Sequence, residues 1–547
     1  MSTHHQTVAL VGAALFDGHH YLGCTGDAVV LRDGRIASIG PVDQIPSDAD
    51  LVDVGGGLVA PGFVDAHVHT VQGGLELTRC NLAEGRTRED YLATIATYAL
   101  AHPEVPWILG GGWAMSAFPG GTPTAADLDA VVPDRPVFLP NRDHHGAWVN
   151  TRALELAGIT RESPEPPHGR YERDADGHPT GTLHEGAMDV VARHLPPVTD
   201  EQYYAGLLAG QAHLHSMGVT GWQDAIVGAY GGMDDPGPTY VEAERRGDLT
   251  GHVVGALWWD RDAGEEQVAS LVARREAFTG ERFRATSIKV MQDGVAENFT
   301  AALTSPYLDR EGRPTSNSGH SFVDPALLRR YVALLDAAGF QVHVHGIGDR
   351  AVREALDAFE GLPRDASGRT ERRHHIAHLQ LVHPDDVDRF GTLGVAANMQ
   401  ALWACLDDQM VDLTLPFIGA ERGGWQYPFG ALHRAGATLV AGSDWPVSTP
   451  NPLEAIHVAV NRWAHGEEGR EGVEPFLPEQ ALTLETAFAA YTSGSAWVNH
   501  RDDAGTLAPD QAADLVVLDR DPFAGEPADI GAARVVSTWV DGRPVFG

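Results

Sequence analysis

Short apolar runs alternate with longer amphipathic stretches from residue 58 onward. The runs from Leu58 to His69, Val219 to Ala225, His252 to Leu257 and Ser287 to Gln292 read as strands. So do Gln341 to His345, His375 to Gln380, Val395 to Gln400 and Thr438 to Ser443. Helical periodicity lies between several of them, as in Pro325 to Ala338 and Asp349 to Phe359. Eight strands separated by helices predict an α/β chain built on a (β/α)8 TIM-like barrel over residues 61–504. The gap after the first strand, about 80–200, carries loops such as Gly110-Gly111-Gly112-Trp113 and Phe118-Pro119-Gly120-Gly121. It predicts an inserted, lid-like subdomain. The two ends, 1–60 and 505–547, read instead as short strands with tight turns. Arg32-Asp33-Gly34-Arg35 and Asp541-Gly542-Arg543 are hairpin signals. Chain termini often lie close together, so the ends predict one small β-sandwich.

A chain of 547 residues exceeds one simple core, in keeping with this division. The net charge of -36, from 39 basic and 75 acidic residues, argues against nucleic acid and anionic membrane as partners. Cys24, Cys80 and Cys405 show no metal-like or disulfide-like spacing, as in a reducing compartment. Met1-Ser2-Thr3-His4-His5 lacks a basic region followed by an apolar one, and no apolar run is long enough to span a bilayer. These features predict a cytoplasmic enzyme with a small-molecule substrate, and they allow a homodimer. Of the 39 basic residues one is a lysine, Lys289, and the other 38 are arginines. A lone lysine points to work that needs an amine able to lose its proton and react. GC-rich codon bias is the alternative.

Candidate chemistry sits at the strand ends. His67 and His69 are two apart in a strand, so both project to one face. Two such imidazoles suit a divalent metal, although a pair of hydrogen-bonded structural histidines fits as well. Lys289 lies on the fourth strand, His345 ends the fifth, His378 ends the sixth, and Asp444 follows the eighth. In a barrel, polar residues at the C-terminal strand ends carry the chemistry. All six therefore converge on one mouth. His343 and His375 sit deeper and read as packing histidines or as supports behind the ligands. Asp444 also fits the N-cap of a following turn. Trp113, His144, His145, Trp403 and Trp445 are candidates for a pocket that takes a hydrophobic substituent. Each tryptophan fits core packing equally well.

Several of these segments resemble the amidohydrolase superfamily, and within it the metal-dependent family 3 branch that includes N-substituted formamide deformylases. The resemblance rests on Ala60-Pro61-Gly62-Phe63-Val64-Asp65-Ala66-His67-Val68-His69 and on Lys289-Val290-Met291-Gln292-Asp293-Gly294. It extends to His345-Gly346-Ile347-Gly348-Asp349-Arg350, His378-Leu379-Gln380 and Gly442-Ser443-Asp444-Trp445-Pro446. Asp510-Gln511 departs from the usual Gly-Lys. Met291-Gln292 departs from the pair many relatives carry before Asp-Gly, which makes Gln292 a candidate for substrate preference. The resemblance implies a divalent metal, most often zinc, one or two per chain. His67, His69 and Asp444 would hold one ion, and His345 and His378 a second. Lys289, carboxylated on its amine, would bridge them. It further implies a metal-activated water, with Asp444 moving the proton, that hydrolyses a carbon–nitrogen bond of an amide such as an N-formyl or N-acyl amine. A cyclic amidase, deaminase or lactonase on the same scaffold is the alternative.

Overall fold

The computed structural model describes residues 7–364, 371–467 and 473–547, and Met1–His5 lie outside the described residues. Its centre is one sheet of eight parallel strands in chain order. These are β1 (Phe63–Val68), β2 (Val219–Val227), β3 (His252–Trp258) and β4 (Phe283–Met291), then β5 (Gln341–Gly346), β6 (His375–His378), β7 (Ala396–Met399) and β8 (Leu439–Ala441). Alternation within a strand sorts the side chains. Ile288 and Val290 of β4, and Val342 and Val344 of β5, join the apolar core shared with the surrounding helices. Their neighbours Lys289, His343 and His345 turn to the barrel interior and are buried there. Register then lines up the polar positions: Lys289 pairs with His343, Met291 with His345, His343 with His375, and Gly346 with His378.

The sheet is nearly closed where β8 returns to β1. The Asp444 N–H donates to His67 O (2.7 Å), and the Ser443 N–H to an Asp65 carboxylate oxygen (3.0 Å). A Cβ on Gly442 would stand 2.6 Å from His67, so only glycine lets the chain pass this histidine. Helix α1 (Thr70–Leu77) starts directly after His69 and packs against α2 (Asp200–Ser216). The contact is between backbones: a Cβ on Gly74 would stand 1.8 Å from Gly206 O. A capping box, Thr199 with Gln202, starts α2.

Between α1 and α2 the chain builds a six-stranded sheet. Its order is Gly169–Arg173, Pro179–Glu185, Gly146–Val149, Val137–Pro140, Ile108–Gly111 and Cys80–Asn81. It has apolar cores of its own, one around Trp113, Phe118 and Trp148, another around Phe138, Val149 and Leu183. At the chain ends, a four-stranded and a six-stranded sheet share Leu10, Leu15, Val29, Val59, Leu515, Val517 and Trp539 in one buried cluster. Leu58–Pro61 pairs with Leu515–Leu518, which joins the two termini. The Asp33-Gly34 and Asp541-Gly542 turns have positive φ at both residues, as a two-residue hairpin requires. Among the described residues no helix is long and apolar enough to cross a membrane.

Candidate metal centre

The strand ends bring the candidate ligands into one pocket. Its lining includes His67, His69, Lys289, His345, His378 and Asp444. Asp444 Oδ1 lies 3.1 Å from His67 Nε2 and 3.0 Å from His69 Nε2. Asp444 Oδ2 lies 3.8 Å from His378 Nδ1. Lys289 Nζ lies 3.3 Å from His67 Nε2. The His345 and His378 ring centres are 4.4 Å apart. Asp444 and His378 have positive φ (56° and 79°), an uncommon backbone for these residue types that turns each side chain at its strand end.

The electrostatics favour bare donors. Burial lowers His67 to about 3, with the Lys289 charge acting the same way. Burial also holds His345 and His378 well below the ordinary histidine value. All three imidazoles are therefore neutral, the form that binds a metal. Burial brings the Lys289 amine down to about 7 against an opposing pull from Asp444. Both ring nitrogens of His378 have no hydrogen-bond partner among the described residues, and Asp444 Oδ1 meets the ring nitrogens of His67 and His69 at 3.1 and 3.0 Å. A buried polar atom without a partner is costly, and a cation held between these nitrogen and oxygen donors removes that cost. The residues present fit a borderline divalent metal.

The inserted sheet supplies the other side of the pocket through Asp143, His144 and His145. His145 Nδ1 is 3.0 Å from both carboxylate oxygens of Glu185, and Thr300 Oγ1 donates to Glu185 Oε1 at 2.7 Å. Burial opposes charge on His145, but Glu185 outweighs it and lifts the ring to about 9. His144 contacts Gln72 Nε2 (2.9 Å) and Glu76 Oε1 (3.4 Å) from α1. Beside the metal pocket opens a cavity of about 510 Å3. Its lining includes Leu109, Phe138 and Met188 of the insertion and Trp258, Met291 and Phe322 of the barrel side. Gln72, His144, Tyr230 and Met291 line both spaces.

Four of the expected pocket residues stand elsewhere. Trp113 is fully buried in the insertion core, edge-on to Phe118 and Trp148, and its indole N–H donates to Leu139 O at 2.8 Å. Gln292 is buried behind β4, donating to Val323 O (2.9 Å) and Glu354 Oε2 (2.7 Å). It is out of phase with Lys289 and Met291, so it points to the helix side. Trp445 packs on Gly73 of α1 and beside His213, and Trp403 stacks flat against the His378 ring. Neither lines either space. Sequence reasoning passed over Glu185 as a site residue. Its local marks are its place in the run Thr180-Gly181-Thr182-Leu183-His184-Glu185, which shares the family resemblance, and a φ of 51°.

Comparisons with known proteins bear on the family of the chain. The chain is 28% identical to the N-substituted formamide deformylase of Arthrobacter pascens, over 94% of each chain. It is 29% identical to the Protein LONG AFTER FAR-RED 3 of Arabidopsis thaliana, over 95% of this chain and 88% of that protein. The crystal structure of a metal-dependent hydrolase from Pyrococcus horikoshii OT3 superposes with a TM-score of 0.73 at 26% identity, covering 95% of this chain and 99% of that one. The amidohydrolase family profile matches residues 50–546. With a nearly closed eight-stranded barrel, histidine and aspartate donors at its strand ends and a profile match over most of its length, the chain belongs to the amidohydrolase family.

Proposed function

We propose that the chain is a metal-dependent hydrolase of the carbon–nitrogen bond in a small N-formyl or N-acyl amine. The observation that carries this reading is the set of His67, His69, His378 and Asp444, with both His378 ring nitrogens lacking a hydrogen-bond partner among the described residues, beside a cavity of about 510 Å3. His67, His69 and Asp444 would hold one ion, His345 and His378 a second, and carboxylated Lys289 would bridge them. A carbamate forms only on an unprotonated amine, and burial brings Lys289 to about 7, where much of it is unprotonated. The donor chemistry favours zinc. When bound, the metal supplies Lewis acidity toward a carbonyl oxygen and lowers the pKa of water. Asp444 takes the proton of the attacking water on a carboxylate oxygen and passes it to the leaving nitrogen. His145, steadied by Glu185, presents a cationic N–H to the oxygen that gains charge. The apolar walls at Leu109, Phe138, Met188 and Phe322 take the hydrophobic substituent. The inserted sheet then acts as a lid, and the paired terminal sheets form one sandwich domain beside the barrel.

The test is metal analysis of the purified protein followed by a panel of N-formyl amines, N-acyl amines, cyclic amides and lactones. About two divalent ions per chain and turnover of linear N-formyl or N-acyl amines are expected. Protein that neither contains nor takes up metal ends the reading. Turnover confined to cyclic amides or lactones replaces it with the cyclic alternative.

A further inference from the structure

Behind His67 the barrel interior holds a continuous chain of side-chain hydrogen bonds, every member of which is buried. Its polarity can be read from both ends, because each end is tied to a backbone group whose role is fixed. At one end, Gln341 Nε2 lies 2.7 Å from Val498 O and 2.9 Å from Arg373 O. Carbonyl oxygens only accept, so this atom is the amide nitrogen. Gln341 Oε1 therefore accepts from Gln223 Nε2 at 2.9 Å, which leaves Gln223 Oε1 facing two imidazoles. It is 2.7 Å from His343 Nδ1 and 3.1 Å from His375 Nε2.

The other end starts from the His378 N–H, which donates to Gln400 Oε1 at 2.7 Å. Gln400 Nε2 donates to Asn398 Oδ1 at 3.2 Å. Asn398 Nδ2 donates to Ala66 O (2.9 Å) and faces His375 Nδ1 (3.1 Å). His375 thus accepts on Nδ1 and carries its proton on Nε2, aimed at Gln223 Oε1. The two readings agree on the same orientation of Gln223.

We infer that Gln223 is a positioning residue that sets the tautomer of the metal ligand His67 through His343. His343 donates from Nδ1 to Gln223, and it is neutral, because it is fully buried beside other imidazoles with no carboxylate in contact. Its Nε2 is then a lone pair, 2.9 Å from His67 Nδ1. His67 must carry its proton on Nδ1 and present a bare Nε2 to the pocket. That Nε2 and Asp444 Oδ1, 3.1 Å apart, are two acceptors face to face. A metal cation between them would satisfy both, whereas the Lys289 amine, 3.3 Å from that Nε2, reaches one of them. An imidazole held in one tautomer meets a metal without first moving a proton. The inference rests on the metal-dependent reading of the site.

The proton can be observed without metal. In metal-free wild-type protein labelled with 15N-histidine, two-bond 1H–15N spectra with the His67 signals assigned by His67→Gln should place the proton on Nδ1. A proton on Nε2 overturns the inference, and this measurement needs no folded variant at Gln223. In parallel, chelator competition should show zinc bound about 10–100-fold more weakly by Gln223→Met. Asn499→Ala is the control. It deletes another buried partner of Gln223, at 3.0 Å, but leaves the acceptor oxygen in place, and it should bind zinc as wild type does. Equal weakening in both variants, or in neither, overturns the inference. Wild-type protein that binds no zinc removes the metal-dependent reading, while the 15N spectra still decide the tautomer.

Discussion

Histidines bound the metal centre on two sides, and what stands behind them differs. In the barrel interior His343 and His375 are backed by amides, Gln223 and Asn398. On the insertion side His144 and His145 are backed by carboxylates, Glu76 and Glu185. An amide is neutral and directional, so it fixes which ring nitrogen carries the proton and adds no charge. A carboxylate rewards the charged ring. Burial nevertheless outweighs Glu76 and keeps His144 below the ordinary value, while Glu185 wins at His145. On the proposed reading, the barrel side would present lone pairs to a cation. The insertion side has one ring able to carry a proton.

The strongest way to break this contrast is at the cation itself. Lys289→Arg keeps a positive side chain but cannot form a carbamate, so metal content should fall sharply and activity by orders of magnitude, with the fold intact by circular dichroism. An active Lys289→Arg protein with full metal content would show that the lysine bridges nothing.

The insertion side is tested by Glu185→Gln, which should lower kcat/KM by about 100-fold and move the alkaline limb of the pH profile to lower pH. The same pair has a stability signature in metal-free protein. The folded state raises His145 from 6.5 to about 9. Its contribution is full below pH 6.5 and is lost as pH rises through about 9. Glu185 is held below its ordinary 4.5, so its contribution is intact above that value. The Tm gap between wild type and Glu185→Gln should thus be widest between pH 4.5 and 6.5 and close above about pH 9. A gap that does not change with pH would mean the pair carries no charge.

The smallest effect on catalysis is expected at Trp113→Phe. Loss of the indole N–H to Leu139 O and of ring volume should cost roughly 1–3 kcal/mol of stability. The kcat/KM value should stay at the wild-type level. A raised KM would bring this tryptophan back to the substrate.

The barrel was legible because parallel strands buried under helices leave near-continuous apolar runs, and the polar residues that interrupt those runs stand out. Each of the eight expected strand segments contains a strand of the central sheet or overlaps one, but the first, Leu58 to His69, is two strands: Leu58–Pro61 joins the terminal sheet and only Phe63–Val68 the barrel. The deep placement of His343 and His375 was equally plain from counting along β5 and β6. Gln292 could have been excluded by the same count, since the alternation that turns Lys289 inward turns Gln292 outward. Trp113 could not be placed, because a glycine-rich loop carries no period from which to tell a core tryptophan from one facing a cavity. Glu185 and Gln223 owe their roles to partners 40 and 120 residues away, at His145 and His343. Contacts of that range leave no mark in local pattern.

The glycine contact between α1 and α2 bears on how such a chain could be remodelled. Gly74 meets the backbone at Gly206 and Gly210, so at this point the two helices approach backbone to backbone, with Leu75 and Thr70 packed beside it. The whole inserted sheet leaves the barrel after α1 and returns to it before α2. The two splice points of the insertion are therefore held in register by the barrel alone. A graft that replaces the segment between them with another fold of matching span would inherit the ligands of β1 to β8 and the amide chain behind His67 unchanged. It would bring new walls for the cavity. Recombination at these two points is a route by which one metal-holding scaffold could acquire many substrate ranges.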